Sequence, residues 1–161
     1  MIADLVDQVR QLLAARRSEQ PADPLVKLTG MTVGQDTPPQ DPALARLLPD
    51  LHATDIELAG GLRVLYEPEL IAAKDADAVA LLDSLPRGGG TVRLDEPTAQ
   101  AWIRALNAVR LAMGVRLEIT QDDEEPPAVS DDPDGATAAM YATYRWLSAV
   151  QDSLVTALMD G

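Results

Sequence analysis

The sequence predicts an all-α domain: an irregular bundle of five or six helices with at most one short strand near residues 91–94. Three observations carry this. Apolar residues recur at helical spacing in several separate segments. Capping residues stand directly before those segments, as in Asp41-Pro42 and Asp95-Glu96-Pro97. The chain is 47% hydrophobic but only 3% aromatic, and its apolar residues are mostly Ala, Leu and Val, a composition suited to helices packed closely through alanine. A length of 161 residues fits one domain spanning 1–161.

The first helix covers 1–17, where Ile2, Leu5, Val6, Val9, Leu12 and Leu13 alternate with polar residues. Arg16 and Arg17 suit its C-terminal end. It opens without a cap, which points to further sequence upstream. Five prolines make 18–40 and the residues just after it a Pro-rich loop, within which Pro24-Leu25-Val26-Lys27-Leu28 is extended or a helical turn. Asp41 then caps a short helix over 42–48. Residues 54–66 read as a weak helix, because Gly60 and Gly61 would each cost about 1 kcal/mol relative to Ala. A kink or a break is expected there, and Glu67-Pro68-Glu69 restarts a helix that ends before Pro86. Gly88-Gly89-Gly90 forms a turn.

Thr91-Val92-Arg93-Leu94 alternates like a strand, and a strand needs a partner. Asp95 caps the next helix, with Trp102, Leu106, Val109 and Met113 as its buried stripe. Gly114 either ends it or lies within a continuation through Val115–Ile119. Residues 120–135 form an acidic, flexible loop: 120–134 holds seven acids and no base. The last helix spans about 136–159, with Met140, Tyr144, Leu147, Gln151, Leu154 and Leu158 on its stripe. Trp146 lies beside that stripe. In a chain this poor in aromatics the core is its expected place, and an exposed anchor for a partner is the alternative.

The chain carries 13 Lys+Arg against 26 Asp+Glu, a net charge of −13. That balance disfavours sequence-independent binding to DNA phosphates, although the seven acids of 120–134 leave the remainder only mildly acidic. There is no cysteine, which excludes a disulfide framework, a thiolate zinc site, an iron–sulfur cluster and a cysteine nucleophile. The single histidine, His52, has no nucleophile at recognisable spacing and reads as a surface or helix-contact residue. No apolar run reaches about 18 residues, and the N-terminus lacks the pattern of a signal peptide. The expected compartment is the cytoplasm.

No stretch carries an enzyme signature. Ser130, Asp132, Asp134 and Gly135 imitate part of a calcium loop, but its twelfth position falls on Tyr141 where a bidentate Glu is required. The glycines at 88–90 lack the Gly-Lys-Ser/Thr of a phosphate cradle. No catalytic, cofactor-binding or metal-ligating residue is assigned. The candidates for partner contact are Arg93, Arg104, Asn107, Arg110 and Trp146. Arg104, Asn107 and Arg110 recur at three-residue spacing on one helix, so neighbours in the series share a face. The plain alternative is that both arginines pair with acids on adjacent helices. Direct DNA binding through Arg93, Arg104, Arg110 and Arg116 is the less favoured route. It requires those arginines to cluster on one exposed face.

Several strings resemble a known family. They are Asp41-Pro42-Ala43-Leu44-Ala45-Arg46-Leu47-Leu48-Pro49-Asp50, Glu69-Leu70-Ile71-Ala72-Ala73-Lys74, Gly89-Gly90-Thr91-Val92-Arg93-Leu94-Asp95, Gln100 to Ala112, and Tyr144 to Leu154. Together they run over nearly the whole chain. They are similar to the actinobacterial domain-of-unknown-function family that includes the oxidative-stress transcriptional regulator AosR. The resemblance implies a transcriptional regulator linked to oxidative stress, acting mainly through protein–protein contacts, for example with a sigma factor or RNA polymerase. It also implies a further N-terminal stretch ahead of the first helix. An adaptor or dimerising helical module is the alternative, and a homo-oligomer fits it. With no cysteine, the chain has no thiol with which to sense oxidants itself.

Overall fold

The computed structural model describes residues 1–19, 34–120 and 135–160. Five helices appear among them: α1 (Ile2–Ser18), α2 (Pro42–Leu47), α3 (Ile56–Ser84), α4 (Glu96–Arg116) and α5 (Ala136–Met159). The predicted all-α class holds. Most of the Pro-rich and acidic loops falls outside the described residues, as do the Pro24–Leu28 segment and the calcium-like positions before Gly135.

The central element is α4, which packs against α1, α2, α3 and α5. Ala99, Ala101, Ala105, Ala108 and Ala112 are buried on it beside Trp102, Leu106, Val109 and Met113. A helix buried on this many sides needs small residues where neighbours approach closely. All four residues of the predicted stripe are in the core. Gly114 lies within the helix, which ends two residues later. Leu117 is fully buried there, and Glu118 takes a positive φ of 54° as the chain turns away.

The caps predicted at Asp41 and Asp95 are in place, and Asp55 caps α3. The carboxylate of Asp41 accepts from the Leu44 N–H at 2.8 Å, and that of Asp55 accepts from the Leu58 N–H at 2.9 Å. Asp95 accepts from the Thr98 N–H at 3.0 Å, and the hydrogen bond from Thr98 holds its carboxyl below the usual range. The Met1 ammonium lies 2.8 Å from Asp4 at the uncapped start of α1. The indole N–H of Trp102 donates to Ser84 Oγ at 2.7 Å, tying α4 to the end of α3. His52 accepts the Asp55 N–H on Nδ1 at 3.0 Å.

One expectation is refined and one overturned. The short strand allowed at 91–94 is absent: these residues run without regular structure from α3 to α4, and the described residues hold no strand to pair with them. The alternation instead sets half-buried Val92 and Leu94 against the core and leaves Thr91 and Arg93 exposed. The expected break near Gly60 is also absent. α3 is one helix of 29 residues with Pro68 inside it, about 43 Å long.

Contacts from residues 34–36 explain this continuity. Pro68 has no N–H to offer the carbonyl one turn back, on Val64. The Gly34 N–H donates to that carbonyl at 3.0 Å instead. A Cβ at Gly34 would lie 2.9 Å from Val64 O and 3.0 Å from Arg63 O and Pro68 Cδ, so a glycine is required at this approach. A Cβ at Gly60 would sit 3.1 Å from Asp36 O. The breakers of 60–68 are thus where another segment lies against the helix.

Candidate functional site

On the inner stripe of α3, Ala59, Arg63, Glu67 and Ile71 follow one another at four-residue steps, and all four are buried. The middle two are charged. Arg16 of α1, also buried, approaches them from across the bundle. Its Nε donates to Glu67 Oε1 at 2.7 Å, and Arg63 Nη1 donates to Glu67 Oε2 at 2.6 Å. Both carboxylate oxygens are therefore held by guanidinium groups.

The node reaches outward through its remaining donors. Arg16 donates to Gln35 Oε1 at 2.8 Å, to Glu19 at 3.2 Å and to the Thr37 carbonyl. Arg63 donates to the Leu48 carbonyl at 3.2 Å and to the carboxylate of Asp50. Burial works against the charged form of Arg63, but its hydrogen bonds to Glu67 and Asp50 outweigh this and raise its pKa. One donor stays over: Arg63 Nε is buried and has no hydrogen-bond acceptor among the described residues.

A groove of about 350 Å³ opens above Arg63 and Glu67. Leu48, Pro49, Leu70 and Ala73 line it, with Leu51 and Tyr66 at its mouth. Leu51 and Tyr66 are 53% and 51% exposed, and Leu65 next to Tyr66 is 69% exposed. Glu69 adds a carboxylate to its lining, while the half-exposed carboxylate of Asp50 is paired with Arg63. Large apolar side chains clustered in the open beside a rigid, hydrogen-bonded floor are what a protein-contact surface offers. Among the described residues no group of three or more His, Asp or Glu side chains is placed to hold a metal ion.

Sequence reasoning missed this site. The signal was present in the four-residue step from Ala59 through Arg63 and Glu67 to Ile71, which puts two charges on an otherwise apolar stripe. What hid it was the break expected at Gly60.

The candidates taken from the sequence lie elsewhere. Arg104 is exposed and grips Asp77 of α3 with two donors, at 2.8 and 2.7 Å. This bidentate contact raises its pKa. Arg110 turns the other way, donating to Gln151 of α5 at 2.8 Å with its guanidinium 5.2 Å from the centre of the Tyr144 ring. Asn107 is exposed and joins Arg110, Arg46 and Tyr144 around a second cleft of about 360 Å³. The structure thus brings Asn107 and Arg110 together and points Arg104 toward a different helix. Arg93 is exposed in the connector before α4. Trp146 is 42% exposed on α5, so the core placement expected for it is overturned; Trp102 fills that role.

The protein family described as "Domain of unknown function (DUF2017)" matches residues 1–158. The chain belongs to this family. It is 38% identical to the oxidative stress regulator AosR of Mycobacterium tuberculosis, over 99% of this chain and 77% of that protein. The Mycobacterium bovis protein of the same name gives the same figures. A Mycobacterium leprae protein that also carries the AosR name is 39% identical over the same shares. No solved structure matches the chain. Among the described residues no helix is long and apolar enough to cross a membrane.

Proposed function

We propose that this chain is a cytoplasmic regulator of the oxidative-stress response that works through protein contacts, docking a component of the transcription machinery such as a sigma factor or RNA polymerase on the α3 groove. The observation that carries the reading is its identity of 38–39%, across 99% of its length, to proteins named oxidative stress regulators. The groove supports the protein route. Its exposed Leu51 and Tyr66 offer apolar anchorage, and Glu69 suits a partner whose contact face is basic and amphipathic. Arg104 and Arg110 are engaged by Asp77, Gln151 and Tyr144, which weighs against a basic stripe for DNA.

The test is capture of sigma factors and RNA polymerase from a cell extract at low and moderate salt, with wild type and with Tyr66→Ala and Leu51→Asp. Tyr66→Ala is expected to weaken capture about 30-fold, as loss of an aromatic anchor does, while the melting temperature stays unchanged. If wild type recovers no transcription component at either salt, or if both variants capture it as well as wild type, the reading fails. A dimerising adaptor without a role in redox sensing is the second reading, favoured by the exposure of Trp146 on α5.

A further inference from the structure

Among the described residues α5 packs against α4, through Tyr144, Leu147 and Gln151. Its opposite side is open: Ala142, Trp146, Ala149, Asp152, Ser153 and Thr156 are all exposed. Ala142, Ala149 and Thr156 are seven residues apart and run as a line of small side chains along this side. In a chain of net charge −13, the 24 residues of α5 hold one acid, Asp152, and one base, Arg145. This helix is where two copies can approach with little like-charge repulsion.

We propose that this face is the two-fold interface of a homodimer, α5 packing antiparallel on α5 of a second copy with the axis passing at Ala149. The placement of the side chains about Ala149 supports it. A two-fold axis across the seam exchanges positions above and below Ala149 but keeps each residue on its own side of the line of small residues. Arg145 and Asp152 lie on one side, four residues before and three after Ala149. The axis therefore sets each Arg145 opposite the partner's Asp152, and it does so twice. Trp146 and Ser153 lie on the other side, three before and four after. Each indole then covers the partner's Ser153, where a small side chain leaves room. Ala142 meets the partner's Thr156, and Ala149 meets its own copy, which lets the helix axes come within about 8 Å. In a parallel pairing the two-fold runs along the helices and carries each residue to the other side of the seam, so Arg145 would face the partner's Trp146 and Asp152 its Ser153, with no carboxylate opposite either guanidinium. Charge selects the antiparallel arrangement. Arg145 is already engaged within its own subunit, and a guanidinium with five donors has capacity for a second carboxylate.

The absence of cysteine makes the test direct, since a single introduced thiol is the only one present. Ala149→Cys is expected to form a disulfide-linked dimer under mild oxidation, because the two positions meet at the axis. Thr91→Cys, exposed and far along the chain, serves as the control that does not. By sedimentation equilibrium, Asp152→Arg is expected to weaken the dimer at least about tenfold by setting guanidinium groups against each other, and adding Arg145→Glu to it is expected to restore the dimer. Trp146→Ala, which leaves the charges alone, is expected to weaken it as well. A wild type that stays monomeric at the highest soluble concentration would overturn the proposal. So would a dimer that resists both Asp152→Arg and Trp146→Ala, or an Ala149→Cys variant that links no faster than the control.

Discussion

Glu67→Gln is the sharpest perturbation of this fold. The substitution preserves the shape of the side chain and removes its charge. It also replaces one acceptor oxygen with an NH2 group, so an arginine donor now faces a donor. Arg16 and Arg63 are 3% and 5% exposed, and water cannot take over the lost contact. Removing one partner from a buried ion pair costs about 3–5 kcal/mol. Glu67 serves two buried arginines, while Asp50 and Glu19 at the edges of the node retain part of the compensation, so about 4 kcal/mol is expected here. A domain is stable by about 5–15 kcal/mol in total, and at this size the loss corresponds to a fall in melting temperature of roughly 10 °C. Circular dichroism at 222 nm through thermal and urea unfolding reads it directly. The triple variant Arg16→Met, Arg63→Met, Glu67→Leu is expected to be less destabilised than Glu67→Gln alone, because it leaves no charge stranded. If Glu67→Gln melts within about 2 °C of wild type, the node does not carry the energy assigned to it.

Two further outcomes follow from the geometry. Gly34→Ala places a Cβ 2.9 Å from Val64 O and is expected to cost about 1–3 kcal/mol, whereas Gly61→Ala, whose Cβ meets nothing within 4 Å, is expected to gain up to about 1 kcal/mol; urea midpoints distinguish them. Asp95 has its folded pKa depressed below 3.8 by the hydrogen bond from Thr98, so its stabilising contribution is present above that value and is lost as pH falls through the folded pKa. Asp95→Asn keeps an acceptor at the cap but no titrating group, so the gap between its melting temperature and that of wild type should narrow as pH drops from 5 toward 2.

The sequence made α1, α2, α4 and α5 legible because their signals are local: an apolar period, an aspartate cap, a proline at the first turn. The course of α3 was not legible. Two glycines and a proline within nine residues break an isolated helix, and nothing nearby in sequence announces that Gly34, thirty residues upstream, supplies the missing donor. The site was hidden for the same reason. Arg16 and Glu67 are 51 residues apart, and only the fold makes them neighbours. Val92 and Leu94 show the converse error: an alternation true to a strand's period was used to seat two side chains on helices. Trp146 was misplaced because scarcity of aromatics argues for a core role only when the core has no other, and Trp102 already supplied one.

The carbonyl of Val64, left open by Pro68 and closed by Gly34, changes how this molecule comes apart. Arg16 holds Gln35 and Thr37 while it holds Glu67, so the backbone bond and the ion pairs fasten the same short segment to the middle of α3. Neither fastening can be released alone without exposing the other. Residues 34–37 and the central turns of α3 therefore open as one cooperative unit. A Gly34 amide that exchanges with solvent as slowly as those of the surrounding helix would mark that unit's boundary, in a stretch whose sequence reads as loop.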